Sequence, residues 1–530
     1  MKRKSVNEQH FRILPPQRMN MVSMVLDRWA DKPDGVRRPA IYSEDEVITY
    51  RQLQGTVNRL GNFLLGNGVK PGDRVLVRMS NHPLYIALNM AIIKVGAVAV
   101  ATSTLFRSRE LRYILDNSGA KVAVTMPEFA DAVEEVRREA KGLEKVFFVA
   151  GGKGPIEEAS KDESDRLLAH DTSADDLAFI LYTSGTTAFP KGVPHAHRWL
   201  VAMGEPNAAV VMCTGGGDRV MTPSEMTWMW PWGYCIWYTM YSGAATCVYS
   251  GRFDPEKTIR YMEKYGVTHF VGNPTIYRRL LRIEVGGKRP ALRAAFSSGE
   301  TLAPELFNEW KDRFGCEIYD CIGQTESHVF CSTRPGTVRL GSMGKPLPGI
   351  PVTVVREDGT ECDENETGYL AIDKGFVGLT PGYLGLEEEW NARIRDRWYL
   401  TWDYAKVDED GFFWYISRTD DLIKSRGYLV APKEVEDVLQ EHQAVLESAA
   451  VGLADPELRE RVAAFIVLAE GRGPTEELAK EIRRHVASRV AGYKVPKEMV
   501  FVEALPKTVT GKVMRKALKE GGVVGDSYRF

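Results

Sequence analysis

The chain has 530 residues, which is too long for a single hydrophobic core and therefore predicts two or more domains. Hydrophobic residues make up 44% and charged residues 26% of the composition, as in a soluble globular protein. With 69 Lys and Arg against 71 Asp and Glu, the formal charge is −2, and this balance argues against a nucleic-acid partner because no overall basic field is present.

The seven cysteines include no Cys-x-x-Cys pair, and most of them lie in apolar or strand-like segments. We interpret them as reduced thiols of a cytoplasmic protein without a zinc site. Residues 86–100 form the longest apolar segment, but Asn89 and Lys94 interrupt it, and it is shorter than the ~20 residues that cross a bilayer. The basic N-terminus is followed by polar residues, so we predict neither a secretory signal nor a membrane span.

Strand-like and helical patterns alternate from residue 74 onward. The predicted strands are 74–79, 97–101, 121–125 and 145–149, and the predicted helices are 84–94, 109–117 and 129–140. Such alternation predicts a parallel sheet that is covered by helices.

A loop rich in glycine and hydroxyl groups follows the apolar residues 177–181. A triphosphate-binding loop typically combines hydroxyl donors, a lysine, and a glycine that lets backbone N–H groups converge on an anion. The residues that supply these groups here are Thr183, Ser184, Gly185, Thr186, Thr187 and Lys191. Gly192 rather than Ser or Thr follows the lysine, and Pro190 and Pro194 flank it, so no helix can begin here as in a Walker-type loop. The alternative is a surface turn, which uses the same residue types.

A second alternating series follows this loop, and the pattern then changes twice. Predicted strands at 245–249, 268–271, 292–297 and 317–319 alternate with helices at 255–265, 274–283 and 303–314. Short β-like runs at 352–355 and 369–372 predict a small barrel or distorted sheet. From about residue 422 a small α+β pattern begins, with helices at 430–440, 476–490 and 513–519 and strands at 448–452 and 462–468.

Segments in chain order resemble the motifs of the adenylate-forming superfamily, which includes acyl-CoA synthetases, adenylation domains and luciferases. Besides the phosphate loop, residues 297–300 match an adenine-contacting turn, residues 320–326 a second nucleotide motif and Asp403 a ribose-binding aspartate. Residues 418–421 match a hinge, and residues 506–512 match a catalytic-lysine motif. Residues 321–326 and the later 334–336 resemble the benzoate-CoA ligase branch.

The resemblance implies an α/β fold with two domains. A large N-terminal domain, 1–419, would contain two βαβ-type subdomains and a small β-barrel, and a small mobile α+β domain, 420–530, would follow a hinge near Asp420. The implied activity is that of an AMP-forming acid:CoA ligase, which joins a carboxylic acid to AMP and then to CoA. The implied cofactors are therefore ATP, Mg²⁺ and coenzyme A.

The resemblance also implies roles for individual residues. Lys512, Glu326 and Lys191 would be catalytic, and Glu326 would also be the Mg²⁺ ligand. Besides the phosphate loop, the residues implied to contact ATP or CoA are Gly299, Glu300, Thr301, Asp320, Cys321, Ile322, Gly323, Gln324, Thr325, Asp403, Arg418 and Gly427.

Three positions depart from the superfamily pattern. Ala188 replaces a glycine of the phosphate loop, Trp402 replaces a glycine before the ribose aspartate, and Ile322 stands where many members carry an aromatic ring. The first two raise the alternative of a nucleotide-binding relative with low activity. A further alternative is an acyl-AMP ligase that loads a carrier-protein thiol.

The most aromatic segment of the chain, residues 227–238, lies where the superfamily builds its acyl pocket. Large rings shorten a cavity, so we expect an aryl, short-chain or medium-chain acid rather than a long straight chain. Trp232 is the first candidate, with Gly323 and His328 as neighbours; an interior core is the alternative. The expected partners are this small acid, ATP and CoA, and a homodimer is the assembly to test.

Overall fold

The structure is a computed structural model. It describes residues 13–44, 46–139, 142–150, 154–183, 189–283, 290–300, 302–425, 428–455, 458–508, 513–523 and 525–530. The chain divides into two compact units. The first is Met1–Val352 with Ile372–Arg397, and the second is Thr353–Ala371 with Trp398–Phe530. The boundary expected near residue 420 stays a prediction.

The strands are numbered in chain order. They are β1 Pro39–Ser43, β2 Glu46–Thr49, β3 Arg74–Arg78, β4 Val98–Ala101, β5 Val122–Thr125, β6 Lys145–Phe148, β7 Leu177–Tyr182, β8 Gly192–Ala196, β9 Arg219–Thr222, β10 Ala245–Val248, β11 His269–Val271, β12 Ala294–Ser298, β13 Ile318–Gln324, β14 His328–Ser332, β15 Lys345–Pro346, β16 Val352–Val355, β17 Gly368–Asp373, β18 Ile394–Arg395, β19 Trp398–Val407, β20 Phe413–Arg418, β21 Ile423–Ser425, β22 Tyr428–Val430, β23 Val445–Asp455, β24 Arg459–Leu468, β25 Glu498–Phe501 and β26 Asp526–Arg529.

The α-helices are numbered in the same way. They are α1 Arg28–Ala30, α2 Tyr50–Gly66, α3 Pro83–Lys94, α4 Ser108–Ser118, α5 Ala130–Arg137, α6 Pro155–Ser160, α7 Trp199–Glu205, α8 Met229–Pro231, α9 Thr239–Tyr241, α10 Pro255–Tyr265, α11 Pro274–Leu281, α12 Pro304–Phe314, α13 Glu387–Asn391, α14 Pro432–Gln440, α15 Glu476–Ala487 and α16 Arg515–Lys519. Segments with π-helical geometry are Ser23–Asp27, Pro206–Met212 and Trp232–Tyr238.

Local sequence signals fix the ends of α10. The Asp254 side chain accepts a hydrogen bond from Lys257 N at 2.7 Å, Pro255 occupies the first turn, and Gly266 ends the helix at φ +57°. The helix covers the predicted residues 255–265 because each of these signals is local.

The first sheet of the first unit has the order β6-β5-β3-β4-β7-β8. Its strands are parallel except for β8, which runs antiparallel to β7. This confirms the predicted parallel sheet, but the pattern did not indicate β8. Pro194 lies within β8, and a proline is tolerated there because β8 is an edge strand of this sheet. Its helix-facing core includes Leu76, Ile114 and Ile180, all fully buried.

The second sheet of the first unit has the order β15-β14-β13-β12-β11-β9-β10-β1-β2. Its central strands are parallel, and β13 and β14 form an antiparallel hairpin. The strand expected at 317–319 therefore continues to Gln324. Because β12 and β13 pair in parallel, Ser297 lies opposite Asp320, so the first residues of the adenine-contacting turn and of the second nucleotide motif lie side by side in the sheet.

The second unit has its own sheets and core. In its small sheet β17 lies between β16 and β19, and β20 pairs antiparallel with β19. Its larger sheet has the order β22-β21-β24-β25-β26, with β23 also on β24. The core of this sheet includes Val435 of α14, Ile466 of β24 and Ile482 of α15. The α/β class is thus confirmed, with mainly parallel sheets in the first unit and an α+β arrangement in the second.

Among the described parts of the chain, none of the helices combines the length and the apolar character that crossing a bilayer requires.

Candidate functional site

The two ends of the predicted phosphate loop meet on neighbouring strands. β7 leads into the loop and β8 leads out of it, with Tyr182 opposite Gly192. Thr183 N donates to the Lys191 carbonyl oxygen at 3.0 Å, which closes the base of the loop. Ser184, Gly185, Thr186, Thr187 and Ala188 lie outside the described residues, so their predicted contacts with phosphate stay predictions.

An aromatic contact anchors the C-terminal end of this loop. The Phe189 ring stacks on Tyr113 of α4, with a centroid distance of 4.7 Å and an interplanar angle of 17°. The guanidinium of Arg109 lies 5.0 Å from the Phe189 ring centroid. The loop is therefore attached to α4 through Phe189, which the sequence analysis did not single out.

Lys191 is mostly buried and has a carboxylate partner. Its Nζ forms a salt bridge with Glu389 of α13, and only 12% of the lysine side chain is exposed. The same Nζ lies 5.2 Å from the centroid of the Tyr383 ring. Its ammonium is therefore held by Glu389 and Tyr383, and its predicted contact with phosphate stays a prediction.

Glu326 follows β13 and is held at both its main chain and its side chain. Its carbonyl oxygen accepts a hydrogen bond from Thr380 N at 2.7 Å. Its Oε1 accepts a hydrogen bond from the Tyr383 hydroxyl, and the glutamate is 7% exposed. A buried, oriented carboxylate oxygen fits Mg²⁺, which takes few protein ligands and otherwise keeps water or substrate phosphate oxygens. No group of three or more metal-binding side chains occurs among the described residues.

His195 links β8 to the residue before Glu326. Its Nε2 donates to the Thr325 carbonyl oxygen at 2.8 Å. Burial lowers the pKa of His195 to about 3, so the imidazole is neutral at physiological pH and Nε2 carries its proton. The loop strand and the second nucleotide motif are thereby joined by a side chain that the sequence analysis did not name.

The remaining nucleotide candidates of the first unit lie at the ends of β12 and β13. Gly299 has φ +89°, which favours glycine, and Glu300 accepts hydrogen bonds from the Thr275 hydroxyl at 3.1 and 3.0 Å. Thr301 lies outside the described residues. Asp320, Cys321, Ile322, Gly323 and Gln324 are all part of β13.

Cys321 is buried rather than exposed to a ligand surface. It is 4% exposed, and its Sγ lies 3.2 Å from Ser332 Oγ and 3.6 Å from the Tyr234 hydroxyl. Burial raises the pKa of this thiol to about 12, so it stays protonated. Any contact of Cys321 with the nucleotide would therefore come from its backbone.

His328 is enclosed by aromatic rings. The rings of Tyr234, Tyr238 and Trp199 lie with centroids 5.5, 4.8 and 5.8 Å from that of His328. Gly323 and Gly233 both approach it closely. A Cβ on Gly233 would lie 2.2 Å from His328 Nε2, and one on Gly323 would lie 2.4 Å from the His328 carbonyl oxygen.

Trp232 occupies a different part of the same aromatic segment. It is fully buried, and its ring neighbours are Tyr85, Phe179 and Trp237. Gly323 and His328 are thus brought together, whereas Trp232 packs among other rings. The three substrate-binding assignments stay predictions, and the ring positions add Tyr234 and Tyr238, which the sequence offered only as part of an aromatic run.

The second unit contains the ribose and hinge candidates. Asp403 of β19 lies opposite Arg418 of β20, with Asp403 Oδ1 and Arg418 Nη1 3.9 Å apart. Arg418 Nε also donates to Asp420 Oδ1 at 3.2 Å. Burial alone would lower the pKa of Arg418, but the carboxylates of Asp403 and Asp420 outweigh it and raise that pKa, so the guanidinium stays charged.

The ends of the predicted catalytic-lysine loop also lie in the second unit. Lys507 and Val513 form an antiparallel bridge, and Lys507 pairs with Glu447 at 2.8 Å. Arg515 forms ion pairs with Asp421 and Glu436. Lys512 and Gly427 lie outside the described residues, so their roles stay predictions.

The chain is similar to known proteins over nearly its whole length. The family model for the AMP-binding enzyme matches residues 26–384, and the family model for the AMP-binding enzyme C-terminal domain matches residues 434–512. Benzoate–CoA ligase of Thauera aromatica is 34% identical over 487 residues, 90% of this chain and 92% of that protein. Acetyl-coenzyme A synthetase of Bacillus subtilis is 33% identical over 519 residues, 95% of this chain and 91% of that protein.

Solved structures give the same picture. The crystal structure of the anthranilate CoA ligase AuaEII in complex with anthranoyl-AMP matches with a TM-score of 0.89 at 30% identity. The match covers 96% of this chain and 98% of that chain. The benzoate ligase and the acetyl-coenzyme A synthetase are named for different acids, yet their sequence identities to this chain are nearly equal. Overall sequence similarity therefore does not indicate which acid this chain uses.

Proposed function

We propose that this chain, which belongs to the AMP-binding enzyme family and is an AMP-forming acid:CoA ligase, acts on an aryl, short-chain or medium-chain carboxylic acid. The enzyme uses ATP, Mg²⁺ and CoA. The observation that carries the choice of acid is the ring cage around His328, formed by Tyr234, Tyr238 and Trp199. Because all three rings are buried and lie within 6 Å of His328, a long chain would have to displace several of them.

The cage also contains polar atoms that suit a substituted ring. Among the described residues, the Tyr238 hydroxyl and His328 Nδ1 have no hydrogen-bond partner although both are buried. A buried polar group without a partner costs roughly 1–3 kcal/mol, which a substrate hydroxyl or amino group could recover. Within aryl acids, we therefore propose a preference for ring-substituted ones.

The proposed residue roles follow from charge. Acid and ATP are both anionic, and the acid carboxylate must attack the α-phosphorus as pyrophosphate leaves. Lys191 would neutralise the phosphates, and Glu326 would hold Mg²⁺, which supplies further neutralisation when bound. Lys512 would stabilise charge on the acid carboxylate and α-phosphate.

The second step moves the acyl group to CoA. The CoA thiolate attacks the acyl carbonyl carbon and AMP leaves. We propose that Asp403 and Arg418 hold the ribose hydroxyls, that the hinge is at Asp420, and that Gly427 leaves room for the pantetheine chain. The domain boundary at residue 420 belongs to the same proposal. A cytoplasmic location and a homodimer complete it, and fractionation and light scattering would check them.

An acid panel tests the choice of acid. AMP release with CoA would be compared for benzoate, ring-hydroxylated and ring-aminated benzoates, butyrate, octanoate and palmitate. We expect turnover of palmitate to be at least tenfold below that of the best aryl or short acid. A Tyr238→Leu variant should improve the longer acids, whereas Tyr249→Leu, at a buried ring outside the cage, should not. Equal turnover of palmitate would contradict the proposal.

A further inference from the structure

A short segment of the first unit connects β8, the strand after the phosphate loop, with Glu326. Residues 380–384, here called the strap, contact both the strand after the phosphate loop and the residue proposed to hold Mg²⁺. Thr380 N donates to the Glu326 carbonyl oxygen at 2.7 Å, and Leu384 N donates to the Gly192 carbonyl oxygen at 3.0 Å. The Thr380 hydroxyl donates to the Pro194 carbonyl oxygen at 2.7 Å. The strap therefore fixes the spacing between β8 and Glu326 through hydrogen bonds to main-chain atoms.

Tyr383 is the side chain of the strap that contacts functional groups on both sides. Its hydroxyl donates to Glu326 Oε1, and its ring centroid lies 5.2 Å from Lys191 Nζ. Tyr383 is 4% exposed and Glu326 is 7% exposed, so water competes little for either contact. One buried residue thus contacts the proposed metal ligand and the proposed phosphate-binding lysine.

The tyrosine ring is itself held in place. Trp390 of α13 meets it edge to face, with a centroid distance of 5.5 Å and an interplanar angle of 88°. The Arg393 guanidinium lies 5.6 Å from the same ring centroid. The helix that carries Trp390 also carries Glu389, the salt-bridge partner of Lys191. The ring can therefore orient other groups because its own position is fixed by packing.

We propose that Tyr383 is a positioning residue that orients the Glu326 carboxylate for Mg²⁺, an inference that rests on the proposed role of Glu326 in the nucleotide site. Mg²⁺ demands near-ideal octahedral geometry, so the rotation of its carboxylate ligand matters. With Oε1 engaged by the Tyr383 hydroxyl, Oε2 is the oxygen we expect to meet the ion. Groups that hydrogen-bond metal ligands in this way typically change metal affinity or activity by about 10–100-fold when removed.

The alternative is a tyrosine that serves only to pack the strap against the sheet. The two roles predict different measurements, because a packing role depends on the ring and the orienting role depends on the hydroxyl. Tyr383→Phe keeps the ring near Lys191 and removes only the hydroxyl. Tyr50→Phe is the matched control, because Tyr50 is also buried and donates its hydroxyl to a main-chain carbonyl, that of Ala244 at 2.7 Å.

The experiment measures ATP binding by calorimetry at increasing Mg²⁺ concentration and also in EDTA. For Tyr383→Phe we expect the Mg²⁺ concentration that gives half of the affinity gain to rise about tenfold or more. ATP affinity in EDTA should stay within about twofold of wild type, since the ring and Lys191 are retained. Tyr50→Phe should match wild type in both conditions.

The outcomes separate this inference from the proposed function. If the wild-type protein binds ATP with no dependence on Mg²⁺, the nucleotide-site proposal fails. If wild type shows the dependence and Tyr383→Phe shows the same one, the positioning role is overturned; an equal loss with and without Mg²⁺ also overturns it. Should Tyr383→Phe not fold, Glu326→Asp, which draws the carboxylate away from the hydroxyl, is titrated in the same way, and an unchanged Mg²⁺ dependence overturns the inference.

Discussion

Asp403 and Arg418 lie directly opposite each other on β19 and β20, with 3.9 Å between Asp403 Oδ1 and Arg418 Nη1. Asp403 is 6% exposed, so water screens its interaction with this guanidinium only weakly. Arg418 is shared with Asp420, the proposed hinge residue, at 3.2 Å. The proposed ribose site and hinge are therefore coupled through one arginine.

Asp403→Asn should weaken ATP binding more than it slows chemistry. The amide keeps the size of the side chain but accepts the ribose hydroxyls less strongly than a carboxylate. We expect KM for ATP to rise about tenfold and kcat to change by less than about threefold, as for an interaction made equally in the ground and transition states. Initial rates of AMP release over a range of ATP concentrations check this, and a change confined to kcat would contradict it.

Trp402→Gly should leave the protein more stable than Trp402→Ala. Trp402 has φ +64°, a left-handed conformation that costs a bulky residue about 1–2 kcal/mol, and 37% of it is exposed. Both Trp402→Gly and Trp402→Ala lose the indole ring, but only glycine adopts the positive φ without steric strain. Urea unfolding should therefore show the glycine variant to be about 1 kcal/mol more stable than the alanine variant. Equal stability of the two would refute the strain.

Glu389→Gln should tighten ATP binding. Glu389 pairs with Lys191 in the structure, so the phosphates must compete with a carboxylate for that ammonium. The glutamine variant removes the competing charge, and we expect the dissociation constant for ATP to fall about two- to fivefold at low salt. The gain should shrink at high salt, because Glu389 is partly exposed. Glu388→Gln is the neighbouring control, and calorimetry at two salt concentrations makes the comparison.

The sequence predicts those parts of the fold that depend on local signals. α10 and α12 begin at proline and end before glycine, and both lie within two residues of the expected bounds. β8 was missed because its burial comes from packing beside β7 and not from an apolar pattern. The same holds for the long hairpin of β19 and β20, whose register places Asp403 opposite Arg418.

The candidate site divides in the same way. Lys191 and Glu326 could be named because they stand in motifs. Tyr383 could not, since its contact with Glu326 joins residues 57 positions apart, and no spacing rule links them. His195 was missed for a similar reason, because its hydrogen bond to Thr325 spans 130 positions. Such contacts depend on the arrangement of strands, which the local patterns of a single sequence do not reveal.

Stability should fall as the pH is lowered from about 6.5. Burial lowers the pKa of both His195 and His328 to about 3 in the folded protein, against about 6.5 when unfolded. Between these values the unfolded chain binds the extra protons, so the free energy of unfolding rises with pH across this window. Each histidine contributes a slope of up to about 1.4 kcal/mol per pH unit.

Urea unfolding at several pH values between 4 and 7.5 checks this slope. His328→Asn is the variant to compare, because asparagine tolerates the φ of +82° found at His328. For this variant, the free energy of unfolding should rise less steeply with pH than for wild type, because one of the two histidines no longer contributes. An unchanged slope would show that His328 does not remain neutral in the fold.

Lys512→Ala should slow adenylation at least 100-fold while leaving ATP binding intact. The predicted catalytic-lysine loop lies between Lys507 and Val513, which form an antiparallel bridge, and Arg515, two residues beyond this bridge, pairs with Glu436. A lysine on such a loop can present its ammonium to the charge that builds up between carboxylate and α-phosphate, so its loss should slow acid-dependent pyrophosphate exchange at least 100-fold. Lys516→Ala is the control, since Lys516 lies on α16 with 65% of its side chain exposed. We expect that variant to exchange pyrophosphate at the wild-type rate, and unimpaired exchange in Lys512→Ala would remove the lysine from the chemistry.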